Sequence, residues 1–232
     1  MIVAIHQPQY LPWLGYFDKM DRCNLFVLLD SVQFKKNEWQ NRNRIKTATG
    51  WQYLTVPVRH RFPQSIVDVR IDDRADWARK HLQALMVHYG KAPYFFDHLP
   101  FLREVYAKRW ESLCELCIYL IQYLASAMGI TAKVARSSER QFSAEPTERL
   151  IEICRWAGAD SYLAGAGGLH YMRLDRFQQE GIRVLQQEFE PPIYPQQYGR
   201  FEPNLSIVDL LFNCGPKGLE ILRSSRKGAG CG

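Results

Sequence analysis

Apolar residues enter this chain as short unbroken runs and then as helical stripes. Ile2 to Ile5 is a four-residue apolar run closed by His6, Gln7 and Pro8. Proline has no N–H for a ladder bond and biases the preceding residue to extended geometry, so the run reads as a buried strand that stops abruptly. Leu11, Leu14, Phe17 and Met20 then recur on one helical face, predicting a helix from Tyr10 to Arg22 with Pro12 in its first turn. Leu25 to Leu29 is again unbroken, the pattern of a strand covered on both faces, and Asp30 ends it. Strand, helix and strand in this order make a βαβ unit with parallel strands and a right-handed crossover. His6 and Asp30 are therefore expected at the same edge of a sheet.

The pattern continues with WQYLTVPV at 51–58 as a strand and a short extended piece at 66–71. From Ala75 it turns helical: Trp77, His81, Leu85 and His88 recur at spacings of three or four, and Gly90 is a stop. A second long helix is expected from about Leu99 to Met128. Strands at 131–135, 160–164 and 183–187 alternate with a helix at 146–157. The last helix is expected at 207–213, with Ser206 as its cap and Asp209 in its first turn. The reading is one α/β domain over residues 1–222, an open, mainly parallel sheet with a helical insertion at about 75–128. The tail 223–232, RSSRKGAGCG, is too rich in small and charged residues to pack and is expected to be disordered.

Composition narrows the class. At 232 residues, 47% hydrophobic and 23% charged, the chain is long enough for one sizeable core. No stretch approaches the roughly 20 apolar residues of a membrane helix, and Met1 leads into a strand rather than a signal core, so a cytoplasmic protein without membrane insertion is expected. Cys114 and Cys117 form a CxxC, but it lies in an amphipathic helical stretch with no partner pair at ligand spacing, so packed thiols are expected and no metal site is evident. Cys214 at a helix end reads the same way. His81 and His88 share a helical face without a third ligand, and read as edge-of-core histidines. No cofactor is named by these patterns.

Three stretches carry candidate chemistry. The loop HQPQYLPW places an imidazole, two carboxamides, a phenol and an indole (His6, Gln7, Gln9, Tyr10, Trp13) beyond a strand's carboxyl end, where open α/β sheets bind ligands. The block KKNEWQNRNRIK at 35–46 carries five basic residues and one acid and holds much of the formal charge of +6. Lys36, Arg42 and Arg44 suit phosphate, Trp39 offers a stacking face, and Asn41 adds a carboxamide; the alternative is a solvated loop. GAGG at 165–168 follows a strand, so Gly165, Gly167 and Gly168 could present backbone amides to an anion, with His170 and Tyr171 just beyond, or could simply turn the chain. Asp30, at its strand end, either caps a loop or binds a hydroxyl, metal or amine.

Read together, HQPQYLPWLGYFDKM, VQFKKNEWQNRNRIK, YLAGAGGLHY and YPQQYGRFEPNLSIVDLLFNCGP resemble the WbqC-like proteins, from residue 2 to about 222. That resemblance implies an association with bacterial surface-polysaccharide (O-antigen), aminosugar or secondary-metabolite pathways, and no settled reaction. A more distant resemblance is to the nucleotidylyl transferases and pantothenate-synthetase-like ligases, which implies a Rossmann-like parallel sheet. Their HxGH signature aligns with Trp13-Leu14-Gly15-Tyr16, where only the glycine is kept.

The resulting expectation is an enzyme that transfers an acyl or aminoacyl group to an amine of a sugar nucleotide or similar phosphorylated intermediate. His6 would be base or orienter with a pKa near neutrality, and Asp30 or Asp209 would orient the amine. Lys36, Arg42 and Arg44 would hold phosphates, Trp39 would stack, and the glycine turn would supply donors. An aminoacyl-tRNA-dependent transferase, with tRNA as partner, a nucleotidylyl-transferase-like ligase and a non-catalytic scaffold are the alternatives.

Overall fold

The structure is a computed structural model that describes residues 1–165, 167–168, 172–224 and 226. β1 (Ile2–His6) leads through a loop into α1 (Leu14–Asp21) and β2 (Leu25–Leu28). A hairpin follows, β3 (Arg42–Thr47) and β4 (Gly50–Thr55), then a short pair, β5 (Val58–Arg59) and β6 (Arg70–Ile71). Three helices, α2 (Trp77–Tyr89), α3 (Phe95–Ala107) and α4 (Leu113–Ala127), precede β7 (Lys133–Arg136). The chain closes with α5 (Pro146–Trp156), β8 (Ser161–Ala164), α6 (Leu174–Gln179), β9 (Arg183–Gln186), α7 (Ile207–Cys214) and α8 (Gly218–Ser224).

Five of these strands form one all-parallel sheet in the order β7-β2-β1-β8-β9. Alternation along each strand assigns its side chains to two cores. Ala4, Phe26, Leu28 and Leu163 join one with α1, α7 and the three inserted helices; Val3, Ile5, Val27, Tyr162 and Ala164 join the other with α5 and α6. Helices on both faces explain why the strands read as unbroken apolar runs. The winding runs outward from β1 through β2 to β7, then outward from β1 through β8 to β9, so it reverses between β1 and β8. At such a reversal the connections leave on opposite faces and a crevice opens beyond the carboxyl ends.

Several boundaries differ from the sequence reading. α1 begins at Leu14, because Tyr10 to Trp13 form an irregular loop in which Leu11 takes a left-handed φ of 45°. The basic block is half strand: Arg42 to Thr47 pair antiparallel with Gly50 to Thr55, placing Arg44 opposite Tyr53. The expected long helix is two, because Lys108 turns extended and Ser112 starts α4 by accepting from the Glu115 N–H. The tail starts later than residue 223. Arg223 lies in α8 and bonds Asp21 at 2.8 Å, and Arg226 bonds Asp18 at 2.8 Å; residues 225 and 227–232 lie outside the described residues.

Candidate active site

A cleft of about 1080 Å³ lies at the β1–β8 reversal. Its floor comes from the ends of β1 and β8 and from α1. Its walls come from the segment after β2, from β3, from the start of α5 and from the stretch after β9.

The loop after β1 is held by the hairpin. Asn43 Nδ2 donates to the Leu11 carbonyl at 2.8 Å, Tyr10 N–H donates to the Trp39 carbonyl at 3.2 Å, and Gln40 Nε2 donates to Gln7 Oε1 at 2.7 Å. Asn41 staples its own loop, giving Nδ2 to the Val56 carbonyl and accepting from Asn37 N–H. The buried carboxamides of the NRNR run thus fix backbone, and Asn41 does not line the cleft. Leu11 in the left-handed region is strained for a branched side chain, and these bonds hold it there. The Trp13 ring folds back over Gly15 and meets Phe189 edge-on at 5.6 Å. A Cβ on Gly15 would stand 2.3 Å from that ring, so glycine is required for the close approach.

His6 sits at the floor, its ring edge-on to Tyr16 with centroids 4.8 Å apart. Its Nδ1 lies 3.2 Å from the Gln7 carbonyl, which can only accept, so Nδ1 carries the proton and Nε2 is left as an acceptor. Burial, then the charge of Lys19, lower its pKa to about 3, and the Gln7 bond offsets little of this. His6 is therefore a neutral imidazole and not the near-neutral titrating base expected from sequence. Among the described residues, buried Gln9 leaves Oε1 without a partner, and Arg44 leaves Nε so; both residues line the cleft.

Four cations line the cleft: Lys19, Lys35, Arg44 and Arg149. None is ion-paired among the described residues. Arg149 spends Nε and a terminal nitrogen on the Ser143 and Ala144 carbonyls, each at 2.8 Å. Arg44 gives one nitrogen to the Asn204 carbonyl at 3.2 Å and lies 5.6 Å from the Trp39 ring and 5.0 Å from that of Trp51. Carbonyls orient these groups but leave their charge uncompensated. Glu145 is the acid in the lining, and it caps α5 by accepting from Glu148 N–H, so that helix start is already satisfied.

Of the residues singled out by sequence, His6, Gln7, Gln9, Trp13, Trp39, Arg44, Gly165, Gly167 and Gly168 line this cleft. Gly168 N–H bonds the Gly165 carbonyl at 2.9 Å, closing the turn after β8. His170 and Tyr171 lie outside the described residues. Lys36 is exposed and Arg42 stacks on Tyr53 at 4.2 Å; neither lines the cleft. Tyr10 is fully buried, bonded to His81 at 2.8 Å and Tyr106 at 2.6 Å, in a core network rather than a ligand wall.

Asp30 does lie at the β2 end, yet it is fully buried and fully bonded: Arg136, Ser137, the Ser138 hydroxyl and the Ser138 N–H all donate to it. It ties β2 to β7 and has no acceptor left for substrate. Asp209 is also fully buried, under Tyr89, which donates to Oδ1 at 2.8 Å. Burial pushes its pKa up to about 6. Neither carboxylate lines the cleft, so the expected orienting role of both is corrected. Cys114 and Cys117 are buried in α4 with thiol pKa raised by burial, and among the described residues no three His, Cys, Asp or Glu side chains gather as a metal ligand set.

Lys19, Arg149, Gln187 and Phe189 line the cleft without having stood out in the sequence, and of the basic block's first two lysines it is Lys35, not Lys36, that lines it. Gln187 Nε2 donates to the Gly15 carbonyl and to Asp18, each at 2.8 Å, joining the end of β9 to α1. Lys19 does carry a signal in the sequence: it sits one position from Met20, on the edge of the helix's apolar stripe.

Fold and site together define an α/β protein with an open parallel sheet and a cationic, indole-lined cleft at its winding reversal. The chain belongs to the WbqC-like protein family, whose pattern matches residues 7–221. It is 37% identical over 229 residues to the uncharacterized protein Rv1507c of Mycobacterium tuberculosis, an alignment covering 97% of this chain and 99% of the relative. No solved structure matches it. Among the described residues no helix is long and apolar enough to cross a membrane.

Proposed function

We propose that the protein is a cytoplasmic transferase that binds a phosphorylated, ring-bearing metabolite in this cleft, a sugar nucleotide of surface-polysaccharide or aminosugar synthesis, and moves an acyl or aminoacyl group onto its amine. The observation that carries the reading is the set of four cations without carboxylate partners, beside indole faces, at the winding reversal. Guanidinium and ammonium groups recognise phosphate oxygens, and Trp39 and Trp13 offer faces to a base or sugar ring. The two carboxamides, Gln7 and Gln9, add directional contacts to hydroxyls.

The chemistry follows from His6. An amine attacking an acyl carbon gains positive charge as the C–N bond forms, and its proton must leave. Nε2, unprotonated and locked by the Nδ1 bond to Gln7, accepts that proton and returns it to the departing group. A pKa of about 3 makes the imidazole a weak base, so an anionic ligand beside it, which favours imidazolium, is needed to bring it into use.

The RNA-docking alternative has less support. Lys46 of the basic block is buried and donates to the Arg200 carbonyl, and Arg223 and Arg226 are engaged with Asp21 and Asp18. Isothermal titration of the wild-type protein with uridine and thymidine diphosphate sugars tests the reading. Micromolar binding that weakens at least about tenfold in Arg44→Gln, the loss of about 1.4 kcal/mol, is expected. No binding of any sugar nucleotide, with steeply salt-dependent binding of tRNA, would replace this reading by the RNA-dependent one.

A further inference from the structure

The β1–β8 ladder runs from the Ile2/Ser161 pair to the Ala4/Leu163 pair and stops. The Ile5 carbonyl, one residue beyond the last rung, is met by Lys19, whose Nζ donates to it at 2.8 Å. Lys19 reaches from α1, is only 3% exposed, and lines the cleft. An ammonium has three N–H donors, and this carbonyl accounts for one.

Among the described residues, the groups around it offer no counter-charge. Just after α1, Cys23 has its thiol pushed up to about 12 by burial, and on α1 Asp18 is engaged with Gln187, Arg22 and Arg226. On β1, His6 is neutral; on β8, the Tyr162 ring centroid is 5.9 Å from Nζ. A buried cation with donors to spare and no carboxylate is expensive unless something anionic completes it. The cost already shows, because burial brings the Lys19 pKa down to about 8.

We propose that Lys19 is the inner anion anchor of the cleft, donating to a carboxylate or phosphate oxygen at the buried end of the ligand, while Arg44, Lys35 and Arg149 hold phosphate nearer its mouth. The inference rests on the anion-binding reading above and narrows it: the substrate class carries an acidic oxygen on the end that enters first. Binding is then linked to a proton, because the neutral amine above pH 8 has no charge to offer.

The test is amine acetylation of the full-length wild-type protein with acetic anhydride between pH 7 and 10, read by peptide mass spectrometry, with and without sulfate, whose charge is constant over that range. Lys19 is expected to label with a midpoint near pH 8, well below the value of about 10.4 for a free lysine. Sulfate at ten times its dissociation constant should slow that labelling about tenfold, by mass action, and leave exposed Lys36 unchanged. Sulfate affinity measured by calorimetry should fall about tenfold per pH unit above 8 in wild type and stay level in Lys19→Arg. No labelling of Lys19, labelling that sulfate does not slow, or a wild-type affinity indifferent to pH would overturn the proposal. If Arg44→Gln abolishes sulfate binding while Lys19 goes unprotected, the cationic cleft stands and the inner anchor falls. If sulfate does not bind at all, both readings fall.

Discussion

Gly15 shows how one missing side chain sets the shape of the site. The Trp13 ring lies where a Cβ would be, so Gly15→Ala must push the indole off the first turn of α1 and away from Phe189. The expected loss is about 1–3 kcal/mol in urea unfolding, together with weaker ligand binding, since Trp13 is a wall of the cleft. Asp209 acts on stability alone. Its pKa is about 6 in the folded protein against an ordinary 3.8, so folding takes up a proton between those values. Its stabilising contribution is complete below about pH 4 and is lost as pH rises through 6. Asp209→Asn keeps an oxygen for Tyr89 without the charge. The wild-type minus variant stability difference, measured by denaturation at pH 3.5 to 7.5, should fall by something on the order of 3 kcal/mol across that window.

At the scale of elements, the hairpin is the part that converts a loop into a site. Its inward carboxamides hold the loop after β1, and its outward Arg44 supplies charge to the cleft. Asn43→Ala removes the donor to the Leu11 carbonyl at the strained position. Leaving that buried carbonyl unpaired should cost about 1–3 kcal/mol in thermal or urea unfolding. Backbone amides of residues 7–13 should also exchange hydrogen faster than those of β1, because the loop loses its tie while the sheet keeps its ladder.

At the scale of the whole molecule, the end of the chain returns to α1. Arg226 donates to Asp18 and to Asp21, and Asp18 also accepts from Gln187 at the cleft wall. Asp18 is fully buried, so Arg226→Ala leaves a buried carboxylate short of a partner and loosens the α1–β9 junction. A loss of about 2 kcal/mol, or a melting temperature lower by about 4–8 °C, is expected by calorimetry. Arg226→Lys should recover part of it, because charge is kept and only one of the two contacts is lost.

The sequence by itself determined the parallel sheet, since unbroken apolar runs closed by His6-Gln7-Pro8 and by Asp30 state both burial on two faces and where each strand ends. It also determined that the loop after β1 lies at the carboxyl edge of the sheet, because the βαβ order puts carboxyl ends together. The break before α4 was not read from the sequence, because the longer apolar stripe concealed the capping pair Ser112 and Glu115. What only the tertiary structure decided is which polar groups face the cleft. Asp30, Asp209, Tyr10 and Asn41 have the composition of site residues, but Asp30, Tyr10 and Asn41 are engaged by distant segments, through Ser137 and Arg136, His81, and Val56, and Asp209 is buried away from the cleft with Oδ1 bonded by Tyr89. Lys19 and Arg149 look like ordinary surface cations of helices, yet they line the cleft and their partners are carbonyls rather than carboxylates. Hydrogen-bond satisfaction is a property of residues far apart in the chain, so local pattern can place a group at the edge of the sheet but cannot say whether it is already engaged.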